Sequence, residues 1–152
     1  MGLISIKNIR FYLKRIKWVK KLKFCGSNVK FWKNVVIHHP ENVSIEDNAG
    51  IGDFVVIWGG GGVQIGRNVL IATHSVITSQ GHDVEAEIFK DSTMKGEIVI
   101  EENVWIGAGV IVLPNVIIGK NSIIAAGSVV SKNIPPDSIA IGSPAKVVSK
   151  KK

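Results

Sequence analysis

Residues 100–135 divide into blocks of six: IEENVW, IGAGVI, VLPNVI, IGKNSI, IAAGSV and VSKNIP. The first place in each block holds Ile100, Ile106, Val112, Ile118, Ile124 and Val130, and the fifth holds Val104, Val110, Val116, Ser122, Ser128 and Ile134. A helix repeats its faces about every 3.6 residues and a strand every two. A step of six with β-branched residues at a fixed place fits neither by itself. It requires a short strand and a tight corner, repeated. The same step holds upstream at Ile65, Ile71 and Ile77 and at Ile45, Ile51 and Ile57. Two extra residues fall between Ile57 and Ile65, and about seventeen between Ile77 and Ile100. Counted in threes, the blocks predict a three-sided prism of at least four coils, its inward Ile and Val forming a continuous ladder. Gly52, Gly66, Gly107 and Gly119 follow the inward aliphatic, and Asn48, Asn68, Asn103, Asn115, Asn121 and Asn133 take the fourth place. Both residue types are expected there because a corner needs left-handed backbone angles. Pro135 and Pro136 are expected to end the repeat, since proline has no N–H for a ladder.

The chain has 152 residues, 45% of them hydrophobic and 20% charged, which fits one domain and excludes a disordered segment. Sixteen Gly without a Gly-X-Y period exclude collagen. The single cysteine, Cys25, has no partner for an internal disulfide and is too few for a zinc site. No apolar run reaches the roughly 20 residues of a membrane span, and no signal-peptide pattern is visible. A soluble cytoplasmic protein is therefore expected.

The net charge of +7 is unevenly spread. Residues 1–33 carry ten Lys or Arg and no acid, whereas residues 34–152 carry nine against twelve acids. The basic balance belongs to one segment, so it does not point to nucleic acid as the partner of the body. Within that segment Ile6, Ile9, Leu13, Ile16 and Val19 recur at helical spacing, with Lys7, Arg10, Lys14, Arg15, Lys17 and Lys21 between them. This predicts a basic amphipathic helix over 1–26, ended by Gly26 and Ser27, ahead of a β-helical domain over 27–152. Its apolar stripe either packs on the body or a neighbouring subunit, or lies on an anionic membrane.

The stretches IGRNVLIATHSVITSQGHD (65–83), NVWIGAGVIVLPNVIIGKNSIIAAGSVVSKNIPPDS (103–138) and GSPAKVV (142–148) resemble the hexapeptide-repeat acyltransferases. Within them the chain is similar to the maltose and galactoside O-acetyltransferases and to capsule and lipopolysaccharide O-acetyltransferases. The resemblance covers over half the chain. It implies an all-β fold, a left-handed parallel β-helix with an N-terminal helix and one inserted loop over 82–97. The hand comes from the resemblance, because parallel crossovers otherwise run right-handed. It also implies acetyl-CoA as acyl donor, no metal, a homotrimer with clefts between neighbouring prisms, and a sugar or glycan hydroxyl as acceptor in surface polysaccharide biosynthesis.

A hydroxyl becomes an adequate nucleophile only as a base takes its proton, and histidine suits that near neutrality. His82, in Ser-Gln-Gly-His-Asp at the base of the inserted loop, matches the family's catalytic histidine. Glu85, Glu87 or a backbone carbonyl would orient it; Asp83 is adjacent in sequence, where side chains usually diverge. On the donor side the resemblance assigns Trp105 to the cofactor groove, the Ala108 N–H to the thioester oxygen, and Ala126, Ser131 and Lys132 to the coenzyme A arm. Lys132 and Lys146 would meet its phosphates as point charges. On the acceptor side Asp53 stands where galactoside enzymes carry an Asn contact, or is a corner residue. Trp58 would stack on a sugar face or pack. His74 is structural or lines the acceptor, and Met94 of the loop matches loosely a cleft residue.

Other functions fit less well. An N-acetyltransferase acting on an amino-sugar nucleotide also needs a base, so His82 does not exclude it. A zinc enzyme of the gamma carbonic anhydrase kind needs three converging histidines, and the spacing of His74 and His82 does not match. A scaffold or ice-binding prism would want a flat face of repeated Thr and no loop.

Overall fold

The computed structural model describes residues 15–150. The helix positions Ile6, Ile9, Leu13, Lys7, Arg10 and Lys14 lie outside the described residues. The described chain is built mainly of short strands, mostly parallel, joined by tight corners and wound into a β-helix. The first face stacks Phe24–Cys25, Val43–Ile45, Val63–Ile65, Ile98–Ile100 and Ile117–Ile118. The second stacks Lys30–Phe31, Gly50–Ile51, Leu70–Ile71, Trp105–Ile106, Ile123–Ile124 and Ser138–Gly142. The third stacks Val36–His38, Val56–Trp58, Val76–Thr78, Ile111–Val112 and Val129–Val130.

Register follows the period of six. Phe31, Ile51, Ile71, Ile106, Ile124 and Ala140 stand in one inward column, each opposite the next. Ile37, Ile57, Ile77, Val112 and Val130 form another. These side chains are buried in one core. Each fully buried aliphatic contributes about 1.5–3 kcal/mol against exposure. The fifth-place serines need partners there, and they have them: Ser75 Oγ donates to the Gly107 carbonyl at 2.9 Å, and Ser122 Oγ to the Pro135 carbonyl at 3.0 Å.

The corners divide the labour between Asn and Gly differently from the expectation. Left-handed backbone falls on the fourth place: Asn48, Asn68, Asn103 and Asn121 have φ of 56–60°. Neighbouring coils link through them, with Asn103 Nδ2 donating to Asn121 Oδ1 at 2.9 Å. The second-place glycines serve close approach instead. A Cβ on Gly107 would lie 2.6 Å from the Ala126 nitrogen, and one on Gly52 would lie 2.8 Å from the Ile71 carbonyl oxygen. Gly107→Ala should therefore push two coils apart. A loss of about 1–3 kcal/mol is expected, seen as a lower melting temperature.

Three boundaries differ from the sequence reading. The strand Phe24–Cys25 pairs with Ser44 and Ile45, so the prism begins inside the segment expected to be helix. The prism therefore starts one coil earlier than the periodicity revealed. Pro135 and Pro136 occupy an exposed corner, where no ladder N–H is required, and Ser138–Gly142 continues the second face beyond them. The chain then turns back, and Ala145–Lys150 pairs antiparallel with that strand.

The helix itself covers residues 15–19 of the described chain and buries a different side from the one expected. Trp18 and Leu22 are 6% and 7% exposed and close the base of the core, the Trp18 ring 6.1 Å from that of Phe31. Ile16 and Val19 stay exposed. An open prism end presents a broad apolar surface, and the large indole with Leu22 one turn on covers it better than two β-branched residues. No helix among the described residues is long and apolar enough to cross a membrane.

Candidate active site

His82 lies where the chain leaves the third face. After Thr78, residues Gln80–Gly81 pair antiparallel with Met94–Lys95, and this two-stranded clip carries the loop out from the prism. The His82 ring is exposed, and its Nδ1 lies 2.6 Å from the Ser92 carbonyl oxygen. A carbonyl only accepts, so Nδ1 must carry the proton and donate. In the neutral ring Nε2 is then the nitrogen left as acceptor. Neither Glu85 nor Glu87 does the orienting; the backbone carbonyl does. Ser92 is held in turn, its Oγ donating to the Phe89 carbonyl at 2.9 Å and accepting from the Asp83 N–H at 3.1 Å.

Met94 stands opposite Gly81, next to His82. Trp58 occupies the same edge of the third face, in register with His38 and Thr78. The His38 and Trp58 rings stack with centroids 4.0 Å apart and planes 24° from parallel. Sequence reading gave His38 no such place; the signal available was the step of twenty residues that sets it on Trp58. Ser131 and Lys132 follow Val130 at the corner between third and first faces, both exposed, two coils further on.

The other predicted residues lie elsewhere on the prism. Trp105 points outward from the second face, 50% exposed, between Leu70 and Ile123. Ala108 and Ala126 are exposed at the corner between second and third faces, where the Gly127 N–H donates to the Ala108 carbonyl at 2.9 Å. Lys146 sits on the C-terminal strand, opposite Ile141. Asp53 and His74 share the same corner in earlier coils. The Asp53 carboxylate accepts the Lys33 N–H at 2.6 Å, and its carbonyl accepts the His74 N–H at 3.0 Å. His74 takes φ 59° and stacks on Phe54, itself at φ 59°, with centroids 5.0 Å apart. A bulky residue at such an angle is uncommon, and the ring stack accompanies it.

A single chain thus presents two separate sets. His82, Met94, Trp58, Ser131 and Lys132 follow the third-face edge next to the first face. Trp105, Ala108, Ala126, Asp53 and His74 follow the second face and the opposite edge of the third. The loop also exposes Val84, Ile88, Phe89 and Met94, at 80%, 55%, 60% and 48%. So much apolar surface on one short loop calls for a covering partner. No group of His, Cys, Asp or Glu among the described residues is arranged to hold a metal ion. Cys25 lies at the base of the prism, where burial pushes its thiol up against the opposing pull of Arg15. A thiol held in its protonated form is a poor nucleophile.

Residues 97–132 match the family described as bacterial transferase hexapeptide (six repeats), and residues 42–79 match the hexapeptide repeat of succinyl-transferase. The galactoside O-acetyltransferase of Escherichia coli (strain K12) is 39% identical over 124 residues, 81% of this chain and 54% of that protein. WcaF of the same strain, named for acetyl transfer in colanic acid biosynthesis, is 31% identical over 123 residues, 81% of this chain and 66% of its own length. The solved structure of a galactoside acetyltransferase in complex with coenzyme A is 31% identical, with a TM-score of 0.84, covering 99% of this chain and 74% of that one. The chain spans about half the length of the first curated relatives it matches. Period, corners, loop and these likenesses agree, and the chain belongs to the hexapeptide-repeat acetyltransferase family.

Proposed function

We propose that this protein transfers an acetyl group from acetyl-CoA directly to a sugar hydroxyl, with His82 as general base. The observation that carries the reading is the Nδ1–H bond to the Ser92 carbonyl, which leaves Nε2 as acceptor on an exposed ring. Nε2 takes the hydroxyl proton as the oxygen attacks the thioester carbonyl carbon. The C–S bond then breaks, and the imidazolium returns the proton to the departing sulfur. The Ala108 N–H would face the developing oxyanion, a kind of contact worth about 3–4 kcal/mol when removed in other enzymes. Trp105 supplies an exposed apolar wall for the pantetheine arm. Ala126 and Ser131 extend the groove, and Lys132 and Lys146 offer charge to phosphates. Asp53, Trp58, His74 and Met94 are assigned to the acceptor side.

The two residue sets sit on different edges of one prism, which supports a homotrimer whose clefts join His82 of one protomer to Trp105 of the next. The likeness to WcaF supports a place in surface polysaccharide biosynthesis. The test is release of free coenzyme A thiol from acetyl-CoA across a panel of sugars and glycans. Acceptor-dependent release, with the acetyl group found on a hydroxyl, is expected. Release only with amino sugars would replace the O-acetyl reading.

A further inference from the structure

We propose that the base of the prism docks on an anionic lipid bilayer, an inference independent of the acetyl-transfer reading. Residues 15–33 carry Arg15, Lys17, Lys20, Lys21, Lys23, Lys30 and Lys33 and no Asp or Glu. Lys17, Lys20, Lys21 and Lys23 are exposed. Among them stand Ile16, Val19 and Phe24, exposed by 38%, 41% and 53%.

The helix's need for packing is already met by Trp18 and Leu22, so the exposed apolar side chains are surplus to the fold. The helix is also pinned in place: the Arg15 guanidinium donates to the Gly26 carbonyl at 2.8 Å. The acids that meet this segment come from the next coil and are held on its backbone or beside His39: Asp47 accepts the Ser27 N–H at 2.6 Å, Asp53 accepts the Lys33 N–H at 2.6 Å, and Glu41 lies 3.4 Å from His39. The segment's own side chains thus carry charge of one sign, with Ile16 and Val19 exposed between the lysines. Anionic headgroups satisfy the lysines, and the acyl boundary takes up Ile16 and Val19. A nucleic-acid backbone would answer the charge but leave those aliphatics in water. In the proposed trimer of parallel prisms, three such bases would lie on one side and bind together.

The experiment is co-sedimentation of the whole protein with vesicles of phosphatidylglycerol and phosphatidylcholine, against pure phosphatidylcholine, between low and high salt. Binding to the anionic vesicles, weakened by salt, is expected. Lys20, Lys21 and Lys23 have no side-chain role in the fold, so the triple replacement by Glu should stay folded by melting temperature. It should bind at least about 100-fold more weakly, the loss of each lysine alone being worth about fivefold. Val19→Ser should weaken binding several-fold without changing its salt slope. Equal binding to neutral vesicles, or unchanged binding by the folded triple variant, would overturn the proposal. So would retention by duplex DNA with none by vesicles. Because no acetyl-CoA is present, none of these results bears on catalysis.

Discussion

His82→Ala should leave a folded protein whose turnover falls by about 100- to 10,000-fold, the span that a positioned general base contributes. The ring is exposed and holds only the Ser92 carbonyl, so the loss of stability should stay within about 0.5 kcal/mol. The defect belongs in kcat, because proton removal matters in the transition state more than in the bound ground state. The KM for acetyl-CoA should change little. His82→Gln separates positioning from basicity: an amide N–H can still reach the Ser92 carbonyl but brings no base to the hydroxyl. Turnover near that of His82→Ala would assign the effect to proton transfer. Near-normal turnover in both variants would place the base elsewhere and leave the imidazole as a loop fastener.

Much of this architecture was readable because one physical requirement repeats. Every first-place inward position from Ile45 to Val130 is aliphatic, and the left-handed corners between them hold Asn or Gly except at Phe54 and His74. The first coil escaped notice for a related reason. Its inward residues, one on each face, are Cys25, Phe31 and Ile37, and the eight-residue step to Ile45 obscures the period. The helix misled in phase rather than in kind. Spacing selects a face by hydrophobicity, whereas the open end of the prism selects the side chains that cover it, Trp18 and Leu22.

Legibility of the site divides along a similar line. His82 could be found because a histidine at the root of an insertion is a chemical signal in the sequence. The group orienting it could not, since a backbone carbonyl has no letter of its own and Ser92 arrives only when the loop folds back. Asp53 shows the converse. Its carboxylate looked available for an acceptor, yet one oxygen already caps the Lys33 N–H of the coil before, a structural duty that Asp47 repeats for Ser27.

Mixing two crippled variants should restore activity, because the two halves of the proposed cleft lie on different edges of the chain. Trp105→Ala uncovers about half an indole of groove surface, which predicts a fall in kcat/KM of about 50-fold. Each homotrimer, of His82→Ala or of Trp105→Ala, then works at a few per cent or less. Assembled together in equal amounts, the chains should distribute at random around the ring. A cleft is intact when its histidine comes from a Trp105→Ala chain and its indole from a His82→Ala chain, which occurs in about a quarter of cases. Activity at low acetyl-CoA should therefore rise to roughly a quarter of that of the unaltered protein. If both groups acted from one chain, every cleft in the mixture would keep one lesion and nothing would be regained. A monomer in solution would give the same null result and is told apart by sedimentation. The recovery thus tests the shared cleft itself, apart from any loss that an isolated substitution causes by disturbing the loop or the face.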